Sequence, residues 1–204
     1  MAKVISTLFI SADGVAEIDL DWHFPYFDEN MGRAVGEDYA TSDVLLIGRV
    51  TYDSFAGAWP EREDAGGPDA PMAKQLGDTR KIVVSGQSPE LTWRNSELIA
   101  GDLIEAVTAL KADAAVSGVL VPGSISVVQQ LLAEGLVDEL RLLIHPVAAR
   151  KGRKLFDDGD APYHLEVKAT EVFPTGVIRV IYSPTRPPRA VGYDEVKELV
   201  PDGK

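Results

Sequence analysis

The first side chains that suggest chemistry are Arg49 and Thr51, which follow Gly48 at the end of the apolar run 44–47. A run this short and this apolar predicts a strand buried on both faces, as in a parallel sheet. The glycine lets the backbone turn, and a helix is predicted to begin directly after it. The free N–H groups and positive dipole end of a helix favour phosphate, to which arginine adds a planar charged fork. The stretch predicts an anion site, or else a solvated arginine beside an ordinary capping threonine.

Three other predicted strands also end in polar or glycine-containing loops, at 11–14, 85–88 and 122–124. Ligands of parallel sheets bind in the crevice beyond the carboxyl ends of the strands. Loops that surround one such crevice would hold a phosphate-bearing ligand of nucleotide size. No Gly-x-Gly-x-x-Gly follows a predicted strand and no Gly-x-x-x-x-Gly-Lys-Ser/Thr occurs, so a Rossmann site and a P-loop are both disfavoured.

Asp13 is the one carboxylate in a strand-end loop, and His145 ends a predicted strand directly before Pro146. Asp13 is suited to orienting a substrate amine or relaying a proton, although an Asp-Gly turn needs no function to explain it. His145 either touches the crevice or is a hydrogen-bonded structural residue. His23 and His164 lie in unrelated segments, so no metal site is predicted.

The composition is that of an ordinary globular domain. The chain has 204 residues, of which 45% are apolar and 25% charged, so it can bury the core of one domain. Its net charge of −12 argues against a nucleic-acid surface, and the lack of cysteine excludes disulfides and thiolate catalysis. No segment approaches about 18 apolar residues and the first apolar stretch is too short for a signal peptide, so we expect a cytoplasmic location and no membrane contact.

The elements that must position these residues alternate between strands and helices. Apolar runs predict strands at 3–10, 44–47, 81–86, 118–121 and 136–145. Amphipathic patterns predict helices at 25–39, 51–55, 102–111 and 125–133, and composition predicts a loop at 60–71. The segments 164–173 and 177–182 flank Pro174-Thr175-Gly176 and predict an antiparallel hairpin. The pattern indicates an α/β domain with a mainly parallel sheet and helices on both faces.

The carboxyl-terminal segment has a different composition. Three prolines between 183 and 189 predict an extended chain, and 193–200 predicts two helical turns. We therefore divide the chain into a domain at 1–183 and a proline-rich tail at 184–204 with a short helix. The tail is expected to pack on a neighbouring subunit or back across its own domain.

Taken in order, these features resemble the dihydrofolate reductase-like superfamily, and more closely its branch with the riboflavin-biosynthesis reductase domain (RibD C-terminal) and small bacterial homologues. The resemblance runs from about Val4 to Ser183. Its markers are the segments 11–14, 47–52, 81–85, 122–124, 135–140 and 145–147 and the pair Leu155-Phe156. The resemblance implies a three-layer α/β/α fold, NADPH bound at the carboxyl edge of the sheet, and a homodimer.

The resemblance also implies which residues hold the cofactor: Gly48, Arg49, Thr51, Ser85, Gly123, Ser124 and Ile125. The first three would bind the pyrophosphate and a neighbouring phosphate, and Ser85 would lie near the adenosine 2′-phosphate. The remaining three would let the nicotinamide-side phosphates approach a helix start. Asp13 and Gly14 would line the substrate side of the nicotinamide.

Two positions depart from the pattern of the family. Ile125 stands where relatives have a second glycine, and Arg150 stands in place of the first glycine of Pro-Val-x-x-Gly-x-Gly. These departures leave open a weaker grip on the cofactor, or a site that survives only as structure.

The catalytic acid of folate-reducing relatives has no equivalent here. The segment 22–28 resembles their Trp-x-Leu-Pro-x-Asp, but an extra residue separates Pro25 from Asp28. One residue on a helix rotates a side chain by about 100°, so Asp28 is expected to point away and Phe27 to take its place. We therefore predict an apolar aromatic pocket rather than a folate site. Its candidate residues, some of which belong to the core in the alternative interpretation, are Trp22, Phe24, Phe27, Phe55 and Trp59.

The sequence thus leads to two hypotheses. The first is an oxidoreductase that moves a hydride from NADPH to a C=N or C=O bond of a small, flat, pteridine- or pyrimidine-like heterocycle other than folate. The second is a non-catalytic nucleotide-binding or dimerisation module that kept the fold.

Overall fold

The structure is a computed structural model that describes residues 1–99, 101–157, 159 and 161–187. The strands are β1 (Lys3–Ser11), β2 (Val44–Gly48), β3 (Arg80–Val84), β4 (Ser96–Leu98), β5 (Gly118–Gly123), β6 (Glu139–His145), β7 (His164–Val172) and β8 (Ile178–Thr185). The helices are α1 (Leu20–His23), α2 (Glu29–Ala40), α3 (Arg49–Ala56), α4 (Trp59–Ala65), α5 (Ala70–Asp78), α6 (Leu103–Ala112) and α7 (Ile125–Ala133).

The strands form one eight-stranded sheet in the order β4-β3-β2-β5-β1-β6-β8-β7. All neighbouring pairs from β4 to β6 are parallel, whereas β8 runs antiparallel to both β6 and β7. The predicted mainly parallel sheet with a carboxyl-terminal antiparallel hairpin is confirmed. Its carboxyl edge therefore gathers the loops that follow β1, β2, β3, β5 and β6.

Successive side chains of the central strands point to opposite faces of the sheet. In β2, Leu46 packs in the cluster that contains Val107 of α6 and Val128 of α7. Its neighbour Leu45 packs in the cluster that contains Tyr52 of α3. This period-two alternation places helices on both faces, and the three-layer α/β/α arrangement is confirmed.

A charged network lies in the layer between α2 and the strands β1, β6 and β8. Asp38 is fully buried, and its carboxylate accepts hydrogen bonds from Thr7 at 2.8 Å and from Arg141 at 2.7 Å. It also accepts one from Arg179. A buried charge is stable only when it is paired and hydrogen-bonded, so Asp38 ties these four elements together.

Two helix predictions need correction. The helix predicted at 25–39 begins at Glu29, because Phe24–Tyr26 forms a separate 3-10 turn and Asp28 caps the helix that follows. The loop predicted at 60–71 is wrong, since this region contains most of α4 and the start of α5. Each of these helices has a proline in its first turn, where no backbone N–H partner is needed.

Other element ends also differ from the predictions. The strand predicted from 136 begins at Glu139, and the three-residue edge strand β4 was not predicted. The hairpin continues to Thr185, so the extended segment predicted after 183 starts inside β8. The helix predicted at 193–200 lies outside the described residues, and the division at 183 stays a prediction. Within the described part of the chain, every helix is too short or too polar to cross a membrane.

Candidate active site

The loops after β2 and β5 meet at the carboxyl edge of the sheet. Ile47 and Gly123 are paired in neighbouring strands, and the Thr51 and Ser124 hydroxyl oxygens lie 3.2 Å apart. A Cβ on Gly48 would lie 2.3 Å from the Ser124 hydroxyl oxygen, a distance that real side chains do not reach. Gly123 has φ +146, and a Cβ there would lie 2.8 Å from the Thr51 hydroxyl oxygen. Both glycines are therefore needed for the approach of the two loops.

The two helices that begin at this meeting point have no side-chain cap. Gly48 precedes α3 and Ser124 precedes α7, and neither makes a capping hydrogen bond through a side chain. By contrast, Asp19, Asp28 and Asp102 cap α1, α2 and α6 with their carboxylates. The first N–H groups of a helix need partners, so α3 and α7 present donors that an anion can satisfy.

Arg49 lies at the outer side of this meeting point, on the first turn of α3. Its Nε donates to Asp53 at 2.9 Å and its Nη1 to Gln87 at 3.3 Å, and 41% of its side chain is exposed. The Ser85 hydroxyl oxygen accepts from the Gln87 backbone N–H at 3.1 Å. The structure thus brings Arg49 and Ser85 to one loop surface after β2 and β3. The side chain of Ile125 is half-buried and packs against the core, at the first position of α7.

Asp13 links two loops at the same edge. Its carboxylate accepts from the Ser11 hydroxyl at 2.6 Å and from the backbone N–H groups of Ala149 at 2.9 Å and Arg150 at 2.8 Å. The hydrogen bond from Ser11, followed by those from the two N–H groups, lowers the pKa of Asp13 to about 2. A carboxylate that stays ionised at neutral pH has no proton to donate. The geometry therefore favours loop support over the proton relay considered for Asp13.

The same contacts explain the departure at Arg150. This residue has φ 63, in the left-handed region where glycine is favoured. Its N–H group and that of Ala149 both point to Asp13, which stabilises this turn. The glycine missing from the sequence pattern is thus replaced by a residue held in the conformation that glycine would adopt.

His145 at the end of β6 contacts His23 at the end of α1. The distance between His23 Nδ1 and His145 Nε2 is 3.1 Å, and both residues are buried. Burial, and then the neighbouring His145, lower the pKa of His23 to about 4. Burial also lowers the pKa of His145, although a hydrogen bond to the Leu143 carbonyl opposes this effect. Both imidazoles are therefore neutral at pH 7.

The predicted pocket aromatics divide into two groups. His23 lies 6.2 Å from Trp22, 5.1 Å from Phe24 and 5.8 Å from Phe27, measured between ring centroids. Trp22 is buried, whereas Phe24 and Phe27 are 57% and 45% exposed. Phe55 and Trp59 contact each other at 6.2 Å and pack against the core on the α3 side of the sheet.

Two other candidate residues, Asp28 and Gly14, differ in their surroundings. Asp28 accepts from the Met31 backbone N–H at 2.9 Å and so caps α2, a structural role. Gly14 has φ +88 and its surroundings are open, next to Asp13 in the loop after β1.

Among the residues that the structure describes, no group of three or more acidic, histidine or cysteine residues is suited to a metal ion. Sequence reasoning missed His23, because its partner is 122 residues away in the chain.

The chain belongs to a known family. Residues 2–179 match the RibD C-terminal domain family, and the chain is a member of that family. This branch lies in the dihydrofolate reductase-like superfamily, as the sequence features indicated. The chain is also 29% identical over 186 residues to the uncharacterized protein YyaP of Bacillus subtilis (strain 168), which covers 88% of this chain and 94% of that protein.

Three solved structures have the same fold. A proposed riboflavin biosynthesis protein of Shewanella sp. PV-4 has a TM-score of 0.72 at 21% identity, over 91% of this chain and 100% of its own. A pyrimidine reductase-like protein of Corynebacterium diphtheriae has a TM-score of 0.64 at 18% identity, over 91% and 93%. A Thermotoga maritima diaminohydroxyphosphoribosylaminopyrimidine deaminase/5-amino-6-(5-phosphoribosylamino)uracil reductase has a TM-score of 0.61 at 15% identity, over 90% of this chain and 57% of its own.

Proposed function

We propose that this protein is a cytoplasmic NADPH-dependent reductase that transfers a hydride to a C=N or C=O bond of a small, flat, pyrimidine- or pteridine-like heterocycle other than folate. The observation that carries the proposal is the meeting of two uncapped helix starts, α3 and α7, at one edge of the sheet. Membership in the RibD C-terminal domain family supports it, as does the likeness to a pyrimidine reductase-like protein.

The donors at this edge fit the phosphates of a dinucleotide. In the proposed complex, the N–H groups at the starts of α3 and α7 and the hydroxyls of Thr51 and Ser124 donate to the pyrophosphate. Arg49 and the loop at Ser85 receive the 2′-phosphate, because a doubly charged group on a protein of net charge −12 needs a nearby cation. Gly123 keeps the two loops close enough to bind one ligand.

The rest of the edge would position and enclose the substrate. NADPH supplies the hydride when it is bound. Gly14 leaves room beside the reacting ring, and Asp13 holds the loops after β1 and β6 in place. The exposed rings of Phe24 and Phe27 cover a flat substrate and exclude water, which strengthens every polar contact inside.

A non-catalytic nucleotide-binding module remains the second candidate. It is favoured by one observation: the two carboxylates nearest to the proposed substrate position, Asp13 and Asp28, are both occupied by structural hydrogen bonds. An absorbance assay of NADPH oxidation, carried out with a panel of non-folate pyrimidines and pteridines, separates the two candidates. Turnover with any of them supports the reductase, whereas tight NADPH binding without turnover supports the module.

The binding experiment compares NADPH and NADH in the wild-type protein and in Arg49→Ala. Removal of a charge-assisted hydrogen bond costs ~1.5–3 kcal/mol, so the NADPH dissociation constant should rise roughly 10- to 100-fold. The dissociation constant of NADH should rise less. Equal losses of affinity for NADPH and NADH would place Arg49 on the pyrophosphate. Discrimination between the two nucleotides would then depend on the Ser85 loop.

The matched control for this experiment is Arg80→Ala. Arg80 is likewise a half-exposed arginine in an ion pair, with Glu97, but it starts β3 and lies at the opposite edge of the sheet. The affinity for NADPH should not change in this variant. Failure of the wild-type protein to bind either nucleotide at millimolar concentration would contradict the proposed function.

We also propose that the protein is a homodimer, as its relatives imply. The edge strand β7 pairs only with β8 within the described residues, and it exposes Val167 and Val172. An unpaired, partly apolar edge of nine residues favours association with another chain. Light scattering should give twice the mass of the chain, and a monomer would contradict this proposal.

A further inference from the structure

The buried pair His23 and His145 has no role in the function proposed above. Its members come from α1 and from the end of β6, where His145 is paired with Ser11 of β1. This position is at the carboxyl edge of the sheet, next to the loop that contains Gly14. His23 is 5% exposed and His145 is fully buried.

The hydrogen bonds of the pair fix the tautomer of each ring. His145 Nδ1 lies 3.0 Å from the Leu143 carbonyl oxygen, which can only accept, so His145 Nδ1 carries the proton. In a neutral imidazole, His145 Nε2 is then an acceptor. His23 Nδ1 must therefore donate to it across the 3.1 Å contact. A neutral His23 consequently has an unprotonated Nε2.

This Nε2 is an acceptor that lacks a partner. Within the part of the chain that the structure describes, the hydrogen bond to His145 is the only one that the His23 side chain makes. The ring contacts Phe24 and Phe27, which are both largely exposed. Four side-chain atoms of the described residues are fully buried without a hydrogen-bond partner, and His23 Nε2 is not one of them. This nitrogen is therefore accessible to a ligand beside the exposed rings of Phe24 and Phe27.

We propose that His23 is a substrate-binding residue whose Nε2 accepts a hydrogen bond from an N–H group of the bound heterocycle, and that His145 is a positioning residue that fixes the required tautomer. This inference rests on the proposed reductase function for the identity of the ligand as a flat heterocycle. It adds the requirement that the ligand presents a ring N–H or an amino group toward His23.

The surroundings of the pair agree with a neutral acceptor. The rings packed against it come from Phe9 on β1 and from Trp22 and Tyr26. These rings bring no charge, and burial lowers the pKa of both histidines. A neutral His23 therefore favours ligands that present a hydrogen-bond donor over ligands that present only acceptors.

Nitrogen-15 NMR of the imidazole rings tests the tautomer without any ligand. At neutral pH the spectrum should show a protonated Nδ1 and an unprotonated Nε2 for both His23 and His145. His164, at the start of β7, is the third histidine of the chain and provides the reference signal. A protonated Nε2 on His23 would overturn the proposal.

Binding of diaminopyrimidine, compared with dimethylpyrimidine, tests the acceptor. His23→Phe keeps an aromatic ring but no acceptor, and it should weaken diaminopyrimidine binding roughly 3- to 10-fold while leaving dimethylpyrimidine unaffected. His145→Leu should cause a similar loss and a mixed tautomer at His23. His145→Gln, whose amide oxygen accepts from His23 Nδ1, should restore diaminopyrimidine binding and the single tautomer of His23. His164→Phe is the control and should change nothing.

The outcomes separate this inference from the proposed function. If His23→Phe binds diaminopyrimidine as tightly as the wild-type protein, the inference fails, whatever the result with NADPH. If the wild-type protein does not bind NADPH but the histidine results hold, the cofactor proposal fails and the acceptor role stands. A variant that does not fold is identified by circular dichroism, and the NMR result on the wild-type protein then decides.

Discussion

The carboxyl edge of the sheet has two halves with different chemical character, for which we propose different ligands. The cofactor half, formed by the ends of β2 and β5 with Arg49, Thr51 and Ser124, offers backbone N–H groups and short hydroxyls on a partly exposed surface. The proposed substrate half, formed by the ends of β1 and β6 with His23 and His145, offers one imidazole acceptor among aromatic rings. The first half is built from donors for a charged ligand, and the second is built from apolar rings around a single polar atom.

This difference follows from the chemistry of the two expected ligands. Phosphates keep their charge in any environment, so they bind best to helix starts and arginine near water. A neutral heterocycle is recognised by shape and by a few hydrogen bonds, which are strongest where water is excluded. We therefore expect the two halves to respond differently to the same kinds of perturbation.

The largest effect is expected below the substrate half, at the network around Asp38. The substitution Asp38→Asn leaves Arg141 and Arg179 without their shared buried counter-charge. Removal of one partner of a buried pair costs about 3–5 kcal/mol, and urea unfolding should show a loss of this size. Glu37→Gln is the control, because Glu37 is half exposed and its removal should cost much less than the loss of the buried Asp38 charge. Similar losses in both variants would contradict a role for burial.

The next effect is expected in the cofactor half, at Gly48. In Gly48→Ala the new Cβ would overlap the Ser124 side chain at 2.3 Å and approach its backbone nitrogen at 3.1 Å. The loops must separate, at a cost of up to about 3 kcal/mol in unfolding free energy. The affinity for NADPH should fall together with the unfolding free energy. Gly36→Ala, on α2 where a new Cβ meets no other atom, is the control and should leave NADPH affinity unchanged without lowering the unfolding free energy. If Gly48→Ala changes neither the unfolding free energy nor the affinity for NADPH, the close contact is not needed.

The sequence predicted these two halves to different extents, for physical reasons. The loops of the cofactor half follow local signals, an apolar strand and then a glycine, so Gly48 and Arg49 were identified without contacts. The substrate half depends on contacts between distant segments, because His23 meets His145 across 122 residues and Asp13 meets Arg150 across 137. No local pattern encodes such pairs.

The helices around the site show the same limit. Aspartate, glycine and proline residues at 60–71 have low helix propensity, and they led to a wrong loop prediction. Packing against the Tyr52 cluster and prolines in the first turns allow α4 and α5 there. The positions of the central strands along the chain were accessible because buried strands carry continuous apolar runs.

A smaller effect is expected when the pH changes, and it reports on the substrate half alone. The pKa of His23 is near 6.5 in the unfolded chain and is lowered to about 4 in the folded protein. The unfolded state therefore binds more protons between these values, and stability falls as the pH falls through this window. From pH 7 to pH 5 the loss attributable to His23 should be about 2 kcal/mol. Carboxylates with lowered pKa values, such as Asp13, lose their contribution only at lower pH.

Urea unfolding at the two pH values measures this effect. His23→Phe should remove the part of the pH dependence that His23 contributes and leave the part due to His145, whose pKa burial also lowers. His164→Phe should preserve both parts. An equally steep dependence in His23→Phe would show that other groups cause the loss.

The most direct test of the account is a crystal structure of the protein with NADPH. We predict that the pyrophosphate accepts hydrogen bonds from the first N–H groups of α3 and α7 and from the hydroxyls of Thr51 and Ser124. The nicotinamide is predicted to lie toward Gly14, between the cofactor half and His23. An ordered NADPH molecule at another edge of the sheet, or no bound cofactor at millimolar concentration, would contradict the account.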